Sequence, residues 1–437
     1  MKYSAFVCAS RNVAVTATRV AFAGLMLGFL TGCHSDDPAP LPDLEASEIF
    51  TGTELALTYN GETMPGKSVR VATDGDNATL TLYSEFDLSQ ITGAGLTGTV
   101  AGPGVIPGSP SLDLPVTLSP GDGCYTFSGH TSTPDVEFSY AGSLTDKTLT
   151  LAITDARLLD TRYSGMVMTP APLVKSGLFD YESMPLHLVW EIDPALGVDL
   201  PLSDILKAAA VAPVIPVYSG TAYTSVAQMI ESAVKTFSFN PSGNLPVMYV
   251  STVGGAAHVA TTCGNMLQYV PSASGVRLYV NPLSALSQVL VALSKPSDDA
   301  HFAMPRAGAA DASGSASDAG GASLDGVDPA LLSAMIQALA KAVAPSLSQG
   351  LPLTVTPTQI GADVYFDTAT SVAFLSSIAQ YMLADPQIAA ALKSYIAGLG
   401  LPDVDPTKID AIMAQLPQYL IHTTRLEIGL SLKTAAS

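Results

Sequence analysis

The chain has 437 residues, 19 basic against 38 acidic, a formal net charge of −19 and only 13% charged residues. So acidic a surface repels the phosphate backbone and argues against nucleic acid as a partner. Few charges leave Ser, Thr, Gly and Ala to cover the exterior, and the length exceeds one ordinary core, so two domains are expected.

Residues 1–32 read as a signal peptide. Lys2, Arg11 and Arg19 are its basic region, no acid precedes Asp36, and Val20–Leu30 is a short apolar run. That run falls short of the roughly 20 residues that span a bilayer. It ends in Leu30-Thr31-Gly32-Cys33, which resembles the lipobox of bacterial lipoproteins. The resemblance implies acylation of Cys33 and a stable membrane anchor. His34-Ser35-Asp36-Asp37 resembles the acidic export signal of Bacteroidetes lipoproteins, which implies the outer membrane and exposure at the cell surface. Cleavage removes three of the 19 basic residues, leaving 16 against 38 acidic ones and moving the net charge from −19 to −22. Cys8 leaves with the signal, and Cys124 and Cys263, too far apart to make a framework, read as two buried free thiols, with a single bridge left open.

Residues 33–49 read as the lipidated Cys33 and a tether, with Pro-rich Asp36–Leu44 as a spacer. Over 50–175 the apolar period is two. Leu80 and Leu82 share a face, as do Val136, Phe138 and Tyr140, and then Leu149, Leu151 and Ile153. Gly, Pro, Asn and Asp clusters separate these runs, which predicts an all-β antiparallel sandwich or barrel.

Gly61–Ser68 (GETMPGKS) matches the phosphate-binding P-loop, G-x-x-x-x-G-K-[ST]. That motif works where a strand enters a loop that opens a helix. Here Leu55–Tyr59 and Ser68–Thr73 both alternate, and Pro65 removes a backbone N–H the loop would need. The stretch is therefore expected to be a hairpin connection with Lys67 in solvent, and no nucleotide partner is expected. Asp74, Asp76 and Glu85 fall at three positions of a calcium-binding loop, but Ala78 and Thr79 occupy two others that it needs.

Residues 180–437 read as an α+β domain, helices packed on an antiparallel sheet. Leu186–Asp193 alternates, placing Leu188, Trp190 and Ile192 on one face. Helical spacing links Val226, Met229, Ile230 and Val234, and again Leu331, Leu332, Met335, Ile336, Leu339 and Val343. Residues 237–250 read as a hairpin and Leu426–Leu432 as a returning strand. Residues 303–327, rich in Ala, Gly, Ser and Asp, cannot offset ordering entropy and read as a disordered insert. Residues 269–293 and 353–379 superpose in sequence, Gly275 on Gly361, Tyr279 on Tyr365, Asn281 on Asp367 and Ser284 on Thr370, which suggests a duplicated unit. Asn281 and Asp367 are each placed to cap a helix.

Signatures of catalysis are sparse. The chain has no G-x-S-x-G, H-E-x-x-H or C-x-x-C. Of six histidines, His34 adjoins the anchor, His301 the insert, and His130 a turn cluster, so His187, His258 and His422 remain as candidates for a dispersed hydrolase site. No catalytic, cofactor or metal residue is assigned, and no cofactor is expected. The stretches TGTELALTYNGETMPGKSV, GCYTFSG and VEFSYAGSLTDKTLTLAI resemble Bacteroidetes surface lipoproteins with a calycin-like N-terminal β domain, over about residues 50–170. Some calycins hold apolar ligands inside a barrel, so the resemblance implies a small apolar ligand as a possible occupant. The expected function is thus a lipid-anchored, non-catalytic binding module for a lipid-like or other small ligand. A structural or partner-docking lipoprotein is the alternative, and an unrecognised hydrolase the third.

Overall fold

The computed structural model describes residues 40–87, 89, 97–176, 181–196, 201–211, 215–217, 222–251, 258–262, 265–282, 284, 346–373, 375–376 and 409–435. Cys33 and the signal, the insert 303–327, the expected helix over 331–343 and Cys263 lie outside them.

The first region opens with β1 (Ser47–Thr51), β2 (Leu55–Tyr59), β3 (Glu62–Thr63), β4 (Ser68–Asp74), β5 (Asn77–Tyr83) and β6 (Glu85–Asp87). It continues with β7 (Thr99–Ala101), β8 (Leu112–Thr117), β9 (Ser119–Pro120), β10 (Tyr125–Ser132), β11 (Val136–Leu144) and β12 (Leu149–Leu158). Among the described residues these strands form a first sheet in the order β1-β4-β5-β8, a second in the order β3-β2-β12-β11-β10-β9, and a small two-stranded sheet of β6 and β7. Alternation sends Phe50, Val69, Val71, Leu80 and Leu82 inward from the first sheet, where they meet Leu57, Tyr59, Phe138, Leu151 and Ile153 of the second. Phe50, Tyr59 and Phe138 are fully buried, so bulky side chains fill the space between the sheets. β1 starts inside the stretch expected to be tether, because Phe50 belongs to this core.

Two expectations about Gly61–Ser68 are corrected. β2 and β4 do not form a hairpin. β2 pairs in parallel with β12, Leu55 opposite Leu149 through Tyr59 opposite Ile153, whereas β4 pairs with β1 and β5. A tight turn at Asn60 (φ 47°) and Gly61 (φ 85°) folds β3 back on β2, and the chain then crosses to the other sheet. Lys67, expected in solvent, is 3% exposed.

The second region begins with β13 (Val167–Pro170), β14 (Val174–Lys175), β15 (Tyr181–Ser183), β16 (Leu186–Ile192), α1 (Leu202–Val211), β17 (Ile215–Val217) and β18 (Ala222–Thr224). Next come α2 (Val226–Ala233), β19 (Val234–Ser238), β20 (Val247–Ser251), β21 (His258–Thr261), β22 (Leu267–Ser272) and β23 (Gly275–Val280). β24 (Leu351–Pro357), β25 (Gly361–Phe366), α3 (Ile409–Ile421) and β26 (Thr423–Thr434) complete it. Their large sheet runs β21-β20-β19-β13-β26-β25-β24-β23-β22, with β16 also on β26. One edge of β26 is shared, β16 taking Thr423–Leu430 and β13 taking Leu432–Thr434. The sheet curls far enough for β22 to meet the β19–β20 connection. Leu245 N–H donates to Leu267 O at 2.9 Å and Tyr269 N–H to Gly243 O at 2.7 Å, making an incomplete barrel. α1 and α3 cover the apolar side of β16 and β26, where Leu202, Tyr419 and Leu420 pack on Trp190 and Leu426.

The expected hairpin over 237–250 is present as β19 and β20, and the returning strand as β26. Ser225 and Gln228 form a capping box that starts α2, and the helix stops at Ala233, so Val234, expected on it, begins β19. β13, placed by sequence in the first domain, pairs in the second region's sheet. One hydrophobic cluster also runs from Phe50 and Tyr59 to Tyr269, Val276 and Leu432. The core therefore does not break near residue 175.

The two segments that superpose in sequence form equivalent structures, a hairpin followed by a capped helix start. Asn281 Oδ1 accepts from Ser284 N–H at 3.3 Å, and Asp367 Oδ1 from Thr370 N–H at 2.8 Å. Gly275 and Gly361 both lie against the backbone of the next strand, at Leu353 and Leu432 respectively, where a Cβ would collide.

Candidate functional site

The Gly61–Ser68 stretch presents carbonyls to its neighbours. Asn265 Nδ2 donates to Glu62 O and Thr63 O at 3.0 and 3.2 Å, Asn281 Nδ2 to Pro65 O at 3.1 Å, and Ser84 Oγ to Gly66 O at 2.9 Å. Lys67 Nζ donates to Pro103 O at 2.5 Å and Gly104 O at 3.1 Å. Burial pulls the Lys67 ammonium down to about 7, while both carbonyls favour the charged form. A phosphate cradle needs convergent N–H groups at a helix start. This loop leads into β4 and its lysine is consumed by backbone oxygens, so it is a junction between the two regions.

A polar cluster lies on the face of the large sheet opposite α1 and α3. Period two sends Arg425, Glu427, Gly429 and Ser431 of β26 to that face, with His187 and Glu191 of β16 and Asp363 and Tyr365 of β25. His187 Nδ1 is 3.2 Å from Asp363 Oδ2, and its Nε2 is 2.7 Å from Glu427 Oε2. Ser431 Oγ donates to Asp363 Oδ1 at 2.6 Å, and Arg425 Nε to Glu427 Oε1 at 2.8 Å. The His187 and Tyr365 rings stack at 4.5 Å. Burial lowers the His187 pKa, but hydrogen bonds and charge from Asp363 and Glu427 outweigh it and the net shift is upward. Burial raises the Asp363 and Glu427 carboxyls, and their bonded partners reverse this to a net fall.

This arrangement is poorly suited to hydrolysis. Both ring nitrogens of His187 are held by carboxylates, leaving none to take a proton from a nucleophile, and Ser431 sits beyond Asp363. The carboxylates also lie on opposite sides of the ring. Among the described residues no group of three His, Cys, Asp or Glu is placed to hold a metal. His258 is exposed on the edge strand β21, and His422 is exposed just after α3, its N–H donating to Gln418 O. His130 Nδ1 is 3.3 Å from Ser139 Oγ across an exposed strand pair. The three candidate histidines do not converge. Cys124 is a free, partly exposed cysteine.

The third place is the outer face of the four-stranded sheet. Ala72, Thr79 and Pro115 lie in one row across β4, β5 and β8, and Asp74, Asn77 and Thr117 in the next. The two rows line an open concavity of about 330 Å³. Ala72 and Pro115 are short and leave the hollow, while Asp74, Asn77, Thr79 and Thr117 give it a carboxylate, an amide and two hydroxyls. Thr117 Oγ1 donates to Asn77 Oδ1 at 3.3 Å. In the row beyond Ala72 and Thr79, Thr81 Oγ1 donates to Asp113 Oδ1 at 2.7 Å and Arg70 lies over the Tyr83 ring, 5.8 Å from its centroid. Sequence reasoning treated Asp74–Asn77 as a turn and missed this face. The signal was the outward half of the alternation, in which Ala72, Thr79 and Pro115 are the small or short members. No protein-family model matches this chain, and neither a curated protein nor a solved structure does.

Proposed function

We propose that this protein is a non-catalytic binding module, held at the outer membrane by a lipid anchor on Cys33, that takes its ligand on the open face of the β1-β4-β5-β8 sheet. The observation that carries the reading is the concavity of about 330 Å³ lined by Ala72, Asp74, Asn77, Thr79, Pro115 and Thr117. Its size suits a small ligand, and its few polar groups would fix that ligand's orientation. A carboxylate, an amide and hydroxyls beside short apolar side chains match a ligand with both hydroxyls and C–H faces, such as a neutral sugar. An apolar ligand inside the first region has less support, since Phe50, Tyr59 and Phe138 fill that space.

The partner-docking reading draws on β20 and the edge strand β21, where Met248 and Val259 are 39% and 52% exposed. The hydrolase reading draws on no comparable feature.

Equilibrium binding to glucose, galactose, maltose and cellobiose, with laurate as the apolar probe, tests the proposal. Saturable binding of a sugar that Thr79→Trp abolishes without lowering the melting temperature supports it. Binding of laurate alone, unaffected by Thr79→Trp, or no binding of any probe, overturns it.

A further inference from the structure

We propose that β16 is a pH-responsive strand, clamped to the large sheet while His187 carries two protons and loosened when it loses one.

β16 depends on few partners. Among the described residues it pairs only with β26, with a bulge between Glu191 and Ile192. Its other edge is held by Ser203 Oγ of α1, which accepts from the Trp190 N–H and donates to the Trp190 carbonyl. On the polar face two side chains tie it down. His187 reaches both neighbouring strands, Glu427 on β26 and Asp363 on β25, and Glu191 meets Arg425 at 3.4 Å. The His187 span is possible because Gly429 stands opposite both His187 and Tyr365. With no side chain between them, the two rings close over the central strand to 4.5 Å.

Proton count decides how well this clamp holds. An imidazolium has two N–H donors and satisfies Asp363 and Glu427 together, whereas a neutral ring has one. Its other nitrogen then turns a lone pair towards a carboxylate at hydrogen-bond distance, which is repulsive and leaves a half-buried charge poorly paired. The groups facing His187 are Asp363 and Tyr365 from β25 and Glu427 from β26. Arg425 sits behind Glu427, and Glu191 lies further along β16. Burial disfavours the cationic ring, but the hydrogen bonds and charges of Asp363 and Glu427 outweigh it, so the proton is lost at higher pH than from an ordinary histidine. Loosening then reaches the opposite face, where Leu188 and Trp190 pack under α1 and α3.

Trp190 is the only tryptophan of the chain, 7% exposed, with its indole N–H on Thr423 Oγ1 at 3.0 Å. Its fluorescence therefore reads this strand alone. In the full chain, raising the pH from 5 to 9 should shift Trp190 emission to the red and increase acrylamide quenching at least twofold. Amide exchange at His187 and Val189, whose N–H groups face β26 while that of Trp190 turns away to Ser203 Oγ, should rise tenfold or more after correction for intrinsic pH dependence. His187→Gln should remove the transition, and Asp363→Asn should move its midpoint to lower pH. Lys67→Met, which deletes a buried amine whose pKa is lowered to about 7, should leave it in place. A flat profile in the folded wild type overturns the proposal, as does a transition that survives His187→Gln or vanishes in Lys67→Met. Should His187→Gln fail to fold, the Asp363→Asn midpoint decides, and an unmoved midpoint counts against the clamp.

Discussion

Asn281 joins two parts of the chain 216 residues apart. Its Oδ1 caps the helix start at Ser284, and its Nδ2 donates to the carbonyl of Pro65. Asn265 does the same work two residues away in the loop, at Glu62 and Thr63. Tyr59 Oη adds a bond of 2.6 Å to Ser242 O. These links act where the hydrophobic cluster is already continuous, so the two regions should unfold together.

Asn281→Asp separates the two roles. The carboxylate still caps Ser284 but cannot donate to Pro65, so a buried acceptor is left unpaired at a cost of about 1–3 kcal/mol. Asn281→Ala loses the cap as well, about 1 kcal/mol more. Urea unfolding followed by far-ultraviolet circular dichroism should show one transition in each variant, at progressively lower midpoints. Wild-type stability in Asn281→Asp would show that the Pro65 bond contributes nothing.

Lys67 and His187 should bend the stability–pH curve in opposite directions. The Lys67 pKa is lowered to about 7 in the folded state, so the unfolded chain binds more protons between that value and its ordinary one. Stability relative to Lys67→Met should therefore rise with pH across that window, by up to about 1.4 kcal/mol per unit. The His187 pKa is raised on folding. Its contribution is full below the unfolded value and disappears as pH rises through the folded one. Urea unfolding of wild type, Lys67→Met and His187→Gln at pH 5, 7 and 9 checks both signs.

Gly429 should tolerate no side chain. A Cβ there would run into the Val364 carbonyl and the Tyr365 backbone, and overpacking of this kind costs about 1–3 kcal/mol. Gly429→Ala should lower the melting temperature and separate the His187 and Tyr365 rings. The loss of stacking would appear as a changed ring-current shift of the His187 protons.

In the proposed function, Cys33 carries the localisation. Labelled palmitate should appear in the wild-type protein and not in Cys33→Ala, and the wild type should sediment with outer membranes and be open to external protease. Equal labelling of both proteins would remove the anchor from the account.

Much of the architecture was legible because alternation states which face a residue takes. Leu188 and Trp190 pointed away from His187 and Glu191 before any strand was paired, and Glu427 stood opposite the apolar set of Leu426–Leu432. Register was not legible. His187 meets Glu427 across 240 residues, and nothing local to either names the other. The same gap explains Lys67. Its flanking strands were read correctly, but β2 pairs with β12, far along the chain, and the carbonyls that receive the ammonium belong to Pro103 and Gly104. A lysine directly after Pro65-Gly66 looks solvated until those partners are known. The concavity was missed for a related reason, since a hollow is made by short side chains on three strands and each strand alone shows only one.

Backbone amide shift mapping with maltose tests the binding face most directly. The account predicts saturable shifts centred on Ala72, Thr79 and Thr117, with the core residues Tyr59 and Phe138 unmoved. Shifts centred on Tyr59 and Phe138 with laurate, and none at Ala72 or Thr79 with maltose, would contradict it.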